Sequence, residues 1–282
     1  MFTTLVSATD LESHLFHHDW CVVDCRHDLM DAGYGWREYR AGHIPGAVFA
    51  HIDEDLSGAK TGTNGRHPLP AREDLVAVFR EWGIANHTQI VAYDAQGGQF
   101  AVRLWWLARW LGHMKAAVLD GGWQAWLAKT NWSSVAEPER TSGNFTARDS
   151  LVAVVDAGHV LATRGDAGTL LLDARAPERF EGRTEPIDPV AGHIPGARNR
   201  FWQANLADGK FKAPAQLRAE FEAQLAGRAA ARVIHQCGSG VTSCHSVLAM
   251  EIAGLPNSTL YAGSWSEWIA DRSRPIAIGT ES

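Results

Sequence analysis

The chain has 282 residues, 45% of them hydrophobic and 21% charged, which is the balance of a globular protein with apolar material for one large core or two ordinary ones. Its formal net charge of -6 argues against nucleic acid as a partner. Every apolar run is broken by Arg, Asp or Gly well short of the ~18 residues a membrane span needs, so no membrane partner is expected. Residues 1–15 lack a basic run leading into an apolar stretch, so no signal peptide is read there. Cys21, Cys25, Cys237 and Cys244 form no C-x-x-C pair and are too few for a disulfide framework. The expectation is a cytoplasmic protein with reduced thiols.

In chain order, the short apolar runs 21–25, 89–95 and 116–120 read as buried strands. Between them, 73–82 carries apolar residues at 75, 76, 78, 79 and 82, the spacing of an amphipathic helix. Residues 131–150 are polar and aperiodic and read as a linker. Beyond it the pattern returns, with strands over 169–173, 232–236 and 258–261 and helices over 216–225 and 242–252. Alternating strands and helices imply an α/β fold, each sheet parallel and flanked by helices.

The second half repeats the first. Gly42-His43-Ile44-Pro45-Gly46-Ala47 recurs as Gly192-His193-Ile194-Pro195-Gly196-Ala197. Asp24-Cys25-Arg26 recurs as Asp173-Ala174-Arg175, and Gly121-Gly122-Trp123 as Gly263-Ser264-Trp265. Three matches in one order, at a period far longer than a solenoid repeat, indicate a duplicated domain. The expected division is 1–130, a linker at 131–150, and 151–282.

The copies differ where chemistry would sit. Val233-Ile234-His235-Gln236 runs into Cys237, whereas Ile90-Val91-Ala92-Tyr93 runs into Asp94. One active site is therefore expected, in the second half. Gly238 and Gly240 let the loop after Cys237 curl so that successive N–H groups point inward, and the following helix adds the positive end of its dipole. Ser239 and Thr242 add hydroxyl donors. Such surroundings favour thiolate over thiol, and a thiolate so held can take a sulfur atom as a persulfide and pass it on.

The duplicated G-H-I-P-G-A, the paired D-x-R and the loop C-G-S-G-V-T resemble the rhodanese superfamily over nearly the whole chain. They are most similar to its tandem-domain sulfurtransferases, whose N-terminal domain lacks the cysteine, and the loop looks like that of 3-mercaptopyruvate sulfurtransferases. The resemblance implies two tandem rhodanese-like domains. It also implies a relay of Ser239, His67 and Asp53 beside Cys237, with the last two coming from the first half, so that the site would lie where the domains meet. Arg179, in Glu178-Arg179-Phe180, matches the family's substrate-binding arginine. The family's second arginine follows a Glu-Pro pair; here Glu185-Pro186 is followed by Ile187, and Arg183 is the candidate replacement. The loop residues Gly238, Gly240, Val241 and Thr242 would complete the donor site. The implied partners are a small anionic sulfur donor and a thiol, thioredoxin or cyanide as acceptor.

Other residues read as structural. His43, His193, Asp24, Arg26, Asp173 and Arg175 occur in both halves, including the one without a nucleophile. Cys21, Cys25 and Cys244 read as core. No metal and no cofactor are expected; neither G-x-G-x-x-G nor a Walker A pattern is present. A C-x5-R phosphatase would need arginine at position 243, which is serine. The remaining alternatives are a thiosulfate:cyanide sulfurtransferase using the same persulfide, and a non-catalytic rhodanese-like binding module. A positive side chain is expected in a loop that serves the thiosulfate dianion, and Cys237 to Thr242 contains none.

Overall fold

Trp20–Asp24, Gln89–Tyr93 and Ala116–Leu119 are strands in which every residue is buried. Strands buried on both faces belong in a parallel sheet covered by helices. The computed structural model, which describes residues 1–280, places them there. They form a five-stranded sheet in the order Leu5–Val6, Ala116–Leu119, Gln89–Tyr93, Trp20–Asp24, Val48–Phe49, paired in parallel throughout. A second parallel sheet has the equivalent order: Ala153–Val155, Thr259–Tyr261, Val233–Gln236, Leu170–Asp173, Ala197–Asn199.

The chain divides into two compact units. One comprises residues 1–58, 70–151 and 208–211; the other comprises 59–69, 152–207 and the chain from 212 on. The expected domain ends were placed differently, and position 282 lies outside the described residues. The segment read as a linker is part of the first unit. Phe145 within it is fully buried, the Gly143 N–H donates to the Arg80 carbonyl at 2.7 Å, and Ser134 bridges His43 through both backbone groups. It reads as polar because most of its other side chains face solvent. The second unit has the same device, with Ala277 bridging His193. The loop 59–69 departs from the first unit's sequence neighbours and belongs to the second.

The three repeated motifs form one knot in each unit. Arg26 donates to Asp24 (Nη2–Oδ2, 2.6 Å) and to the Gly42 carbonyl at 2.7 Å, and its guanidinium lies 4.7 Å from the centre of the Trp123 ring. Arg175 does the same with Asp173 (2.6 Å), Gly192 (2.8 Å) and Trp265 (4.9 Å). His43 stacks on Tyr39 and bonds its carbonyl; His193 does so with Phe180. These groups satisfy buried polar atoms at the strand ends, as expected of residues present in both halves.

Candidate active site

The registers of the two sheets put Cys237 and Asp94 at the same place. Asp24 pairs with Tyr93 in one sheet and Asp173 with Gln236 in the other, and the next residues are Asp94 and Cys237. In the first unit the loop's N–H groups are occupied by its own carboxylate. Asp94 accepts from Gln96 (2.9 Å), Gly98 (2.8 Å), Phe100 (2.8 Å) and Ala101 (3.0 Å). The cradle exists in both copies, and in this one its anion is built in.

In the second unit the loop curls around sulfur. The Gly240 N–H donates to Cys237 Sγ at 3.2 Å. Gly240 has φ +78, and a Cβ there would lie 2.1 Å from the Ala262 carbonyl oxygen, so the turn needs glycine. The backbone is fixed from outside: Cys237 N–H donates to Ser264 Oγ (3.1 Å), and the Cys237 and Gly238 carbonyls accept from Trp265 (3.0 Å) and Ser266 (2.9 Å). Thr242 is the residue before the helix Ser243–Ile252, and Val241 is buried beneath the loop. Ala174, Trp202, Phe201 and Leu206 make an apolar wall against Cys237.

Cys237 is only 1% exposed. Burial alone would push its thiol up, but hydrogen bonds from the Thr242 hydroxyl, the Ser239 amide and Ser243 outweigh it and hold the thiol below its ordinary range. The contrast with Cys21 and Cys25 is one of partners. Both are buried in or beside a strand; desolvation pushes Cys21 up to about 11 and raises Cys25 well above the ordinary thiol range, which leaves them inert thiols. Cys244 is fully buried and donates to the Gly240 carbonyl at 3.3 Å.

His67 and Ser239 meet: Nδ1 lies 2.7 Å from Oγ, with both residues about 5% exposed. His67 lies in the 59–69 loop and therefore in the same unit as Cys237. Asp53 lies in the first unit, where its N–H donates to His51 Nδ1 at 3.2 Å. Arg179 is held by Glu185 (Nε–Oε2, 3.0 Å) and Asp188 (Nη2–Oδ2, 3.0 Å), and its guanidinium lies over Gly238. The Arg183 side chain is 59% exposed and pairs with Glu181 and Glu178.

Sequence reasoning missed Arg66. This residue pairs with Asp188 and lies over Gly238 beside Arg179. The one signal for it was adjacency to His67. The loop Cys237 to Thr242 itself carries no cation, and Arg66 comes to it from a different segment. The metal expectation overlooked His14 and His18, at H-x-x-x-H spacing, and the exposed group His17, His18 and Asp19, whose ligand atoms lie within 4.8 Å of one another. That group is in the first unit and does not bear on sulfur transfer. Among the described residues no helix is long and apolar enough to cross a membrane.

Comparison with known proteins agrees with this geometry. The family described as "Rhodanese-like domain" matches residues 7–129 and 156–271. The chain is 46% identical over 282 residues to the "Probable 3-mercaptopyruvate sulfurtransferase" of Pseudomonas aeruginosa, covering 98% of each. It is 34% identical over 240 residues to the thiosulfate sulfurtransferase of Bos taurus, covering 82% of this chain and 79% of that one. The crystal structure of an Escherichia coli 3-mercaptopyruvate sulfotransferase superposes with a TM-score of 0.80 at 31% identity, covering 94% of this chain and 100% of the other.

Proposed function

The chain belongs to the rhodanese family as a sulfurtransferase with two rhodanese-like domains in tandem, and we propose that its donor is 3-mercaptopyruvate, with Cys237 carrying the sulfur to a thiol or to cyanide. The Cys237 thiolate attacks the donor sulfur and an S–S bond forms. The C–S bond breaks, and its electron pair goes to carbon as the enolate of pyruvate. That carbon needs a proton, and the Ser239 hydroxyl, 2.7 Å from His67, is the group that can relay one. This pair is the observation that carries the reading, because thiosulfate cleavage releases sulfite and needs no proton at carbon. The persulfide then gives its outer sulfur to an acceptor thiolate, a thioredoxin thiolate among them, or to cyanide, and the Cys237 thiolate returns.

The test compares both donors on the wild-type protein and on two variants. After 3-mercaptopyruvate treatment the peptide containing Cys237 should gain the mass of one sulfur atom, and Cys237→Ser should gain none. Ser239→Ala and His67→Ala should each lower kcat/KM for 3-mercaptopyruvate by about a hundredfold or more, the scale of a lost proton relay, and leave thiosulfate turnover nearly unchanged. Asp53→Asn, assayed in the same way, decides whether the third residue implied by the family takes part. A wild-type preference for thiosulfate, or equal losses on both donors, would remove the reading.

A further inference from the structure

Three imidazoles and a carboxylate meet on the first unit, at the end of its sheet opposite the Asp94 loop. Trp20 and Gln89 are partners in the parallel register, so the residues before them, Asp19 and Thr88, lie side by side where two neighbouring strands begin. The two turns are tied together there, because the Gln89 N–H donates to the Asp19 carbonyl at 2.7 Å. His17 and His18 lie on the turn before Asp19, and His87 lies on the turn before Thr88. Each turn is fixed by its own backbone: His17 N–H donates to the His14 carbonyl (2.9 Å) and Thr88 N–H to the Ala85 carbonyl (3.0 Å). Lys115 Nζ donates to the His87 carbonyl at 2.8 Å. Asp94 leaves the other end of Gln89–Tyr93, about 16 Å away along five residues of strand.

The side chains converge on Asp19. His18 Nε2 lies 3.3 Å and His87 Nε2 2.9 Å from the same oxygen, Oδ1. One ligand atom from each of His17, His18 and Asp19 lies within 4.8 Å of the others. A tetrahedral ion of the zinc class, with nitrogen and oxygen ligands at about 2.0–2.1 Å, holds those atoms about 3.3 Å apart. The His18–Asp19 spacing already has that value. The side chains of His18 and His87 are 85% and 64% exposed, so rotations at the surface close the rest without disturbing the core. His17 Nδ1 accepts from the Asp19 N–H at 3.2 Å; an ion taken on that nitrogen replaces the bond at an exposed turn, where water can serve the amide. His14, four residues before His18, is not part of the group. Its ring stacks on Trp20 at 4.4 Å, its Nδ1 bonds the Asp10 carbonyl at 2.8 Å, and its helix, Ala8–His14, ends before His18. A solvated ion pair accounts for one ring on Asp19, not for three. Protonated, the three rings would repel one another; neutral, each offers a lone pair, and a metal ion is the partner that uses them together with the carboxylate.

We propose that Asp19, His17, His18 and His87 bind one divalent transition cation of the zinc class, with the Asp19 carboxylate as the ligand that joins the two turns. Imidazole nitrogen suits zinc, copper and nickel, whereas magnesium and calcium call for oxygen ligands throughout. All four residues belong to the first unit, and none of them contributes to the cradle around Asp94. The site is therefore separate from sulfur transfer and independent of which donor Cys237 uses. Its effect is on the fold: a bound ion clips together the turns that start two central strands, and it stabilises the folded chain in proportion to its occupancy.

The experiment uses the intact, untagged protein carrying Cys237→Ser, so that the active-site thiol takes no metal; the other three cysteines are buried. Zn2+ is titrated in by calorimetry at about pH 7.5, where free imidazole is mostly neutral. One saturable site per chain is expected, and Mg2+ at the same concentration should give no binding heat. Asp19→Asn and His87→Ala should each weaken Zn2+ binding by roughly tenfold or more, at least the effect of disturbing a ligand's support. His17→Ala and His18→Ala together should abolish the saturable site. Co2+ in place of Zn2+ should give the visible absorption of a nitrogen–oxygen site without a thiolate charge-transfer band. The same substitutions made with Cys237 intact should leave persulfide loading unchanged, which shows that each variant is folded. Absence of a saturable site in the parent overturns the proposal. So does equal affinity in the parent and His87→Ala, because a single turn would then hold the ion, and so does a thiolate band with Co2+, because the ion would then sit on cysteine.

Discussion

Cys237 ionises because a few donors outweigh its burial, so removing one should be measurable. The Thr242 hydroxyl is the largest of the stabilising hydrogen bonds to its sulfur. A hydrogen bond to a charged group contributes about 1.5–3 kcal/mol, which corresponds to roughly one to two units of thiol pKa. Thr242→Val should therefore move the acid limb of the alkylation-rate profile to higher pH by about that amount. The sign is fixed: the lost bond stabilises only the thiolate, so the thiol gains. A profile that stays in place would show that the amides alone set the pKa. Much of this site was legible in the sequence, because nucleophile, glycines and hydroxyls lie within six consecutive positions. His67 was legible only through the family resemblance, since nothing local marks a histidine before proline. Arg66 was marked only by its place beside His67. Its position depends on meeting Asp188, 122 residues away in sequence, and no spacing rule reaches that far.

Glycines at the same backbone angle separate strain from crowding. Gly46, in the repeated hexamer, has φ +77 with nothing within 4 Å of an added Cβ; Gly240 has φ +78 with the Ala262 carbonyl oxygen 2.1 Å away. Alanine at either position carries the left-handed penalty of about 1–2 kcal/mol. Gly46→Ala should cost that much stability and leave Cys237 chemistry intact. Gly240→Ala must also displace the strand-end backbone, so its loss of stability should exceed that of Gly46→Ala. Its N–H, which points at sulfur, should also move and slow persulfide formation. Similar stability losses and normal persulfide loading in both would show that the loop can shift at little cost. At this scale the sequence was informative in the middle and silent at the edges. Five central strands were legible because each is a run of four or five buried residues, whereas the central strand Thr259–Tyr261 has only three, with Thr259 half-buried. The edge strands Leu5–Val6, Val48–Phe49 and Ala153–Val155 have two or three residues, too few to display a period. The segment 131–150 is polar because most of it lies exposed on the first unit, and polarity alone does not separate a chain lying on a surface from one that spans a gap.

Buried histidines decide how the whole protein responds to acid. His235 is fully buried in the strand that leads to Cys237, its Nε2 is 3.2 Å from Met250 Sδ, and its Nδ1 has no hydrogen-bond partner. Burial, with Arg200 nearby, pushes its pKa down to about 3. His27 and His113 are also shifted down, by burial first. An unfolded histidine titrates near 6.5 and a folded one at the lower value, so the unfolded chain binds more protons between the two. Stability is therefore complete above about pH 6.5 and is lost as pH falls from there toward the folded pKa. For His235 the slope is about 1.4 kcal/mol per pH unit. Asp55, Asp94 and Asp120 are shifted up by burial and act in the opposite sense below neutrality, so the wild-type curve alone does not isolate the histidine. The difference between wild type and His235→Leu does. Urea denaturation between pH 7 and 5 should show the wild-type stability falling more steeply than that of the variant, by about 1.4 kcal/mol per unit below pH 6.5. Parallel curves would mean that His235 finds water or a partner when protonated, and that the acid sensitivity of the fold originates elsewhere.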